Sequence, residues 1–180
     1  KYSKWRLEQC VEAGYDVLTC YISSAYDEVS KENAKRNEQF EEEIYSEVSS
    51  EVKGIIDLFG PTDITKMNDE PSTQNHMEAD SPEGCLIGGY DVLEHPELTA
   101  PTVVMNYIDS VRKLPPVLIF HGTNDELVPF GQSCMLYDKL VKCKKRATFY
   151  AIENAHHGGR EFWSTRVLDI MEEFIKNNDR

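Results

Sequence analysis

The sequence lacks any apolar run long enough to cross a bilayer. Runs such as Val117-Leu118-Ile119-Phe120 stop after a few residues, and no apolar leader-like stretch follows the N-terminus. A soluble chain is expected, with no membrane partner. Positive charge is scarce as well: 19 Lys and Arg against 32 Asp and Glu leave a formal charge of -13, with a pI near 4.8. A polyanion would be repelled over most of such a surface, so nucleic acid is not an expected partner. Cysteines are few, odd in number and scattered (Cys10, Cys20, Cys85, Cys134, Cys143), with no C-x-x-C pair. That spacing indicates neither a zinc site nor a disulfide framework, and reduced, mostly buried thiols are expected. The first residue is Lys1 rather than methionine, which predicts trimming upstream and leaves both a cytoplasmic and a processed, secreted location open.

What is present suffices for one packed core: 180 residues, 40% of them hydrophobic and 10% aromatic. One domain is expected over 1–180. Tyr15 to Tyr21 is β-branched and aromatic enough for a buried strand. Between Lys31 and Glu51 seven glutamates accompany only two lysines and one arginine, which predicts a solvated helix or connection. Val52 to Phe59, stopped by Gly60-Pro61, reads as a central strand of a parallel sheet. From Thr62 to Pro101 periodicity is lost among Asp, Asn, Glu, Ser, Pro and Gly. This predicts a lid-like insertion that shapes a binding site, against the alternative of a merely disordered surface loop.

Pro115 to Gly122 forms a second apolar run and Arg146 to Ile152 a third. Between them, Leu136/Leu140 and Tyr137/Val141 stand at helical spacing. Trp163, Val167, Ile170, Met171 and Phe174 then lay an apolar stripe along a C-terminal helix. Alternating strands and helices, with strands apolar throughout, predict an α/β fold whose parallel sheet is covered on both faces. Ligands on such sheets bind beyond the carboxyl ends of the strands. There the second strand is followed by His121-Gly122-Thr123-Asn124-Asp125-Glu126, and the third by Glu153-Asn154-Ala155-His156-His157-Gly158-Gly159. An acid and a histidine thus leave neighbouring strands at one edge, and a carboxylate on imidazole Nδ1–H leaves Nε2 free as a base. No other histidine pair has chelating spacing, so no metal or other cofactor is expected. His76 and His95 stand singly, and His121 reads as a structural residue at a strand end. Ser133, in Gly131-Gln132-Ser133, reads as a serine at a helix N-terminus.

These residues carry a resemblance. H-G-T-N-D-E-L-V-P-F followed by A-H-H-G-G resembles the C-terminal half of an α/β-hydrolase, in the esterase/lipase group related to prolyl oligopeptidases and plant-cell-wall esterases. V-K-G-I-I-D-L-F-G-P-T-D, S-P-E-G-C-L-I-G-G and V-P-F-G-Q-S-C-M-L-Y-D-K-L are similar to consecutive blocks of that group, so the likeness runs in order over 52 to 176. It implies an α/β-hydrolase-like sheet with flanking helices, incomplete here, with 1–51 divergent. It implies a serine hydrolase of carboxylic esters acting on a small-molecule or carbohydrate-linked ester, with Asp125 matching the triad acid and His157 the triad histidine. His156 departs from the group's pattern, which usually has glycine there.

The group's G-x-S-x-G elbow, whose small neighbours let a tight turn expose the serine, occurs nowhere, and neither does its H-G-G-G type loop. Glu8 to Tyr21 is similar to the helix and strand preceding the elbow, and on that alignment Ser23 to Asn37 bridges a missing segment. Another alignment sets Ile22 to Tyr26 on the elbow and makes Ser24 the nucleophile, with Ile22 and Tyr26 crowding the turn. The competing expectation is a truncated or degenerate, non-catalytic binding or structural module.

Overall fold

The computed structural model describes residues 18–19 and 52–179. Within them the strands are β1 (Leu18–Thr19), β2 (Ile55–Leu58), β3 (Val117–Gly122) and β4 (Ala147–Ile152). They form one sheet in chain order, all neighbours parallel. The helices are α1 (Pro82–Leu86), α2 (Pro96–Thr99), α3 (Gly131–Lys142) and α4 (Thr165–Asn178). Of the expected strand Tyr15 to Tyr21 only β1 is described. The acidic stretch 31–51 and Ser24 lie outside the described residues.

Side chains alternate across a strand, so the apolar runs of β2 and β3 supply both faces of the sheet. Ile56, Leu58, Leu118 and Phe120 pack against Phe162 and the Val167, Leu168, Met171 and Ile175 face of α4. On the opposite face Ile55, Val117 and Ile119 meet Leu136 and Leu140 of α3, with Val104 and Ile108. Every residue of β2 and β3 is buried. β4 departs from the expectation of a strand covered on both faces, since it forms the sheet edge and leaves Thr148, Tyr150 and Ala151 exposed.

The helix patterns were legible to within one residue. In α3 Leu136 and Leu140 are buried, whereas Val141 is half exposed. The C-terminal stripe is rotated: Trp163 ends a separate 3-10 turn, Arg160–Trp163, and α4 starts only after Ser164, whose side chain accepts from Val167 N–H. Burial therefore centres on Val167, Leu168, Met171 and Ile175, with Trp163, Ile170 and Phe174 packed beside them. Residues 62–101 are ordered by short elements, among them the 3-10 turn Ile64–Lys66, α1 and α2, and two more 3-10 turns follow at Ala100–Thr102 and Val104–Tyr107. The insertion has its own apolar cluster of Ile64, Ile87 and Val92 with Met77. One-turn helices are too short to write a 3.6-residue period, which is why the sequence pattern vanishes there.

Candidate active site

The loops that follow β3 and β4 are stapled together by their own backbone. Thr123 N–H donates to Ile152 O (3.0 Å) and Asn124 N–H to Ala155 O (3.0 Å), while Asn154 N–H donates to Thr123 Oγ1 (2.9 Å). Gly122 permits this approach, because a Cβ there would lie 2.3 Å from Ala155 O. The register of parallel β3 and β4 thus delivers Asp125 and His157 to one spot.

At that spot His157 Nδ1–H donates to Asp125 Oδ2 at 2.8 Å. Asp125 is also a turn residue: its Oδ1 accepts from Leu127 N–H and Val128 N–H, both at 2.9 Å. One oxygen closes the loop and the other faces the imidazole, so the two readings of an aspartate in this motif are both realised. Burial alone would raise the Asp125 pKa. Hydrogen bonds from His121 and His157 outweigh it and hold the carboxyl far below the usual carboxylate range. The group is therefore an anion at neutral pH, and it fixes the Nδ1–H tautomer of His157. The His157 side chain is 11% exposed, and its Nε2 is buried without a hydrogen-bond partner among the described residues. A lone pair at Nε2 in that position can accept a proton from a reacting hydroxyl.

Two further side chains frame the imidazole. Phe59 packs edge-on against it, ring centroids 4.6 Å apart, and against Phe162 at the same distance. Its backbone has φ 49°, a left-handed conformation that costs a bulky residue energy and is held by surrounding structure. The hold comes from Phe59 N–H bonding to Phe120 O (2.8 Å) and from Asp57 Oδ1 accepting from Gly60 N–H (2.9 Å). Asp57 Oδ2 has no partner among the described residues, and burial pushes the Asp57 pKa up to about 6 against the opposing pull of Gly60 N–H and His121. His121 is fully buried, and its Nε2 faces Val128 O at 2.9 Å and Asp125 Oδ2 at 3.3 Å. A carbonyl only accepts, so Nε2 carries the proton. Nδ1 shares a 2.7 Å hydrogen bond with the Ser133 hydroxyl.

Of the expected site residues, Asp125 and His157 meet, and Ser24 falls outside the described residues. Ser133 lies in the first turn of α3, at the helix N-terminus as expected, although Phe130 is the N-cap; its side chain is buried against His121. His156 turns outward to Glu126 (2.8 Å), in a pair 67% and 50% exposed, where screening by water leaves little energy. Phe59 escaped the sequence reading, although the D-x-x-G spacing of Asp57 and Gly60 carried the signal of a side-chain-closed turn beside it. An apolar groove of about 400 Å³ between β4 and α4, lined by Phe120, Tyr150, Ile152, Val167 and Ile170, includes neither Asp125 nor His157. No group of three or more His, Cys, Asp or Glu among the described residues is arranged to hold a metal ion. No described helix is long and apolar enough to cross a membrane.

No curated protein matches the chain. Solved structures do. A truncated carbohydrate esterase from gut microbiota superposes with TM-score 0.78 at 23% identity over 97% of this chain and 65% of its own. A puromycin-hydrolysing peptidase of Mycobacterium tuberculosis gives TM-score 0.68 at 16% identity over 96% of this chain and 24% of its own. An esterase of Thermogutta terrifontis gives TM-score 0.52 at 20% identity over 77% of this chain and 46% of its own. The chain therefore spans less than two thirds of the length of these proteins. At such identities the likeness is one of fold, and the fold is that of the α/β-hydrolases, here a small parallel sheet with flanking helices. The BD-FAE family model matches residues 28–140, more than half of the chain, a stretch that contains Asp125; the chain belongs to the BD-FAE family.

Proposed function

We propose that this chain carries the acid–histidine part of a serine hydrolase of carboxylic esters, with His157 as general base and Asp125 as the carboxylate that orients it. The observation that carries this reading is the 2.8 Å bond from His157 Nδ1 to a buried, ionised Asp125, with Nε2 unpartnered among the described residues on the other side of the ring. In the reaction His157 Nε2 takes the proton of a serine hydroxyl as the oxygen attacks the ester carbonyl. The imidazolium, stabilised by Asp125, returns that proton to the departing alcohol, and water then releases the acyl group by the same steps. Within this sequence the one nucleophile an alignment offers is Ser24, crowded by Ile22 and Tyr26, against the favoured alignment on which the serine-bearing elbow is missing. The substrate class is a small-molecule or carbohydrate-linked ester, a reading supported by the carbohydrate esterase among the structural neighbours. On this reading residues 62–101 are a lid-like insertion within the same single domain, and neither nucleic acid nor a membrane is a partner.

A second reading is a non-catalytic α/β-hydrolase-like module, favoured by one observation: no described serine bonds to His157 Nε2. Labelling the full chain with a fluorophosphonate, followed by peptide mapping, separates the two. The enzyme reading expects one serine modified stoichiometrically, with labelling abolished by His157→Ala. Folded chain that takes up no label supports the module instead.

A further inference from the structure

The insertion grips the loop that carries Asp125. Thr73 N–H donates to Glu126 O (2.7 Å), Ser72 O–H reaches Leu127 O (3.0 Å), and His76 Nε2 lies 3.0 Å from the same carbonyl. Leu127 in turn donates its N–H to Asp125 Oδ1. His76 is 2% exposed, and its Nδ1 lies 2.9 Å from Oε2 of Glu83, itself buried. The local chain is built to bring the two together. Ser81 Oγ donates to His76 O and accepts from Gly84 N–H. A Cβ on Gly84 would sit 2.3 Å from Glu78 O, so only glycine lets the turn before α1 close this tightly.

Both ring nitrogens of His76 therefore face acceptors. Nε2 also lies 2.9 Å from Ser72 Oγ. With the Ser72 O–H given to Leu127 O, both the hydroxyl oxygen and the carbonyl are acceptors toward Nε2, which then bears a proton. A bare Nδ1 against a buried carboxylate would set two lone pairs in opposition where water cannot relieve them. The pair is satisfied when it holds both ring protons, as an imidazolium beside a carboxylate. Burial opposes the charge on His76, and the Glu83 hydrogen bond and charge overcome it, so its pKa is raised. Glu83 is the charge that faces the ring from α1. The nearby carboxylates of the acid loop are otherwise engaged, Asp125 with His157 and His121, and Glu126 with His156.

We propose that His76 and Glu83 are positioning residues for the catalytic acid, a buried imidazolium–carboxylate pair that fixes Leu127 and through it the Oδ1 side of Asp125. The inference rests on the proposed ester hydrolysis for its catalytic consequence. On this account the insertion is a strut under the acid loop, and the geometry of Asp125 and His157 depends on it as well as on the sheet.

The test uses the full chain in three measurements. Nitrogen-15 NMR of the histidine rings through a pH titration should find His76 keeping both ring protons above the pH at which an ordinary imidazole loses one; loss at or below that pH overturns the proposal. Amide exchange of Leu127 and Val128 should accelerate about tenfold or more in Glu83→Gln and His76→Gln, as expected when a local clamp is released; exchange within twofold of the parent in Glu83→Gln, the milder change, overturns it even if His76→Gln fails to fold. With an aryl acetate as probe, kcat in Glu83→Gln should fall roughly 10- to 100-fold with KM near its parent value, the signature of a misplaced acid. The double variant should lose no more than the worse single one. Unchanged kcat beside accelerated exchange refutes the catalytic role. If the parent chain hydrolyses no ester, the proposed function fails, while ring protonation and amide exchange still decide whether the pair positions the loop.

Discussion

Replacing Asp57 by asparagine should stabilise the protein at neutral pH and leave it nearly unchanged in acid. Asp57 is fully buried in β2, spends one oxygen on Gly60 N–H and has no partner for the other among the described residues. Its pKa rises from 3.8 to about 6 on burial. Between those values the folded chain binds the proton that the unfolded chain has released, so stability falls as pH rises through the window, and the full penalty is present above it. Two units at 1.36 kcal/mol each set the penalty at about 3 kcal/mol by pH 7 to 8. Asparagine keeps the oxygen that accepts from Gly60, and its amide resembles the protonated acid in shape and charge. Urea unfolding of both proteins should therefore give equal free energies near pH 4, with the variant gaining up to about 3 kcal/mol at pH 7. A difference that stays constant from pH 4 to 8 would refute the assignment of a strained, buried carboxyl.

Two other substitutions probe the frame of the site. Gly122→Ala forces a methyl against Ala155 O, at 2.3 Å before relaxation. It should cost about 1–3 kcal/mol by thermal or urea unfolding and loosen the staple between the two loops. Phe59→Ala removes a buried ring from between His157 and Phe162 and should lower stability by about 3–5 kcal/mol, tempered by relief of the left-handed backbone strain. In the same variant the His157 ring resonances should broaden, because the face that held the imidazole is gone.

The parts of this fold that write a period or a continuous apolar run were readable in advance. Ile55 to Leu58, Val117 to Phe120, and the Leu136 and Leu140 ridge all announce themselves, and the expected ends of the strands led directly to Asp125 and His157. The edge position of β4 was hidden, because Ala147 to Ile152 is apolar enough for a centre strand and only the partners decide. The one-residue rotation of α4 followed from capping by Ser164, a local choice that competes with the continuous stripe through Trp163. His76 and Glu83 lie seven residues apart in a polar stretch, and no spacing rule marks them. Their significance comes from Leu127 O, which the chain brings to them across 51 residues of sequence.

The central claim is that Asp125 dictates the proton position on His157. Ring nitrogen-15 NMR of the full chain near pH 8, compared with Asp125→Asn, tests it most directly. The account predicts that the neutral His157 ring carries its proton on Nδ1, and that the tautomer shifts toward the Nε2–H form when the carboxylate is removed. A His157 that already carries its proton on Nε2, or one indifferent to the substitution, would contradict it.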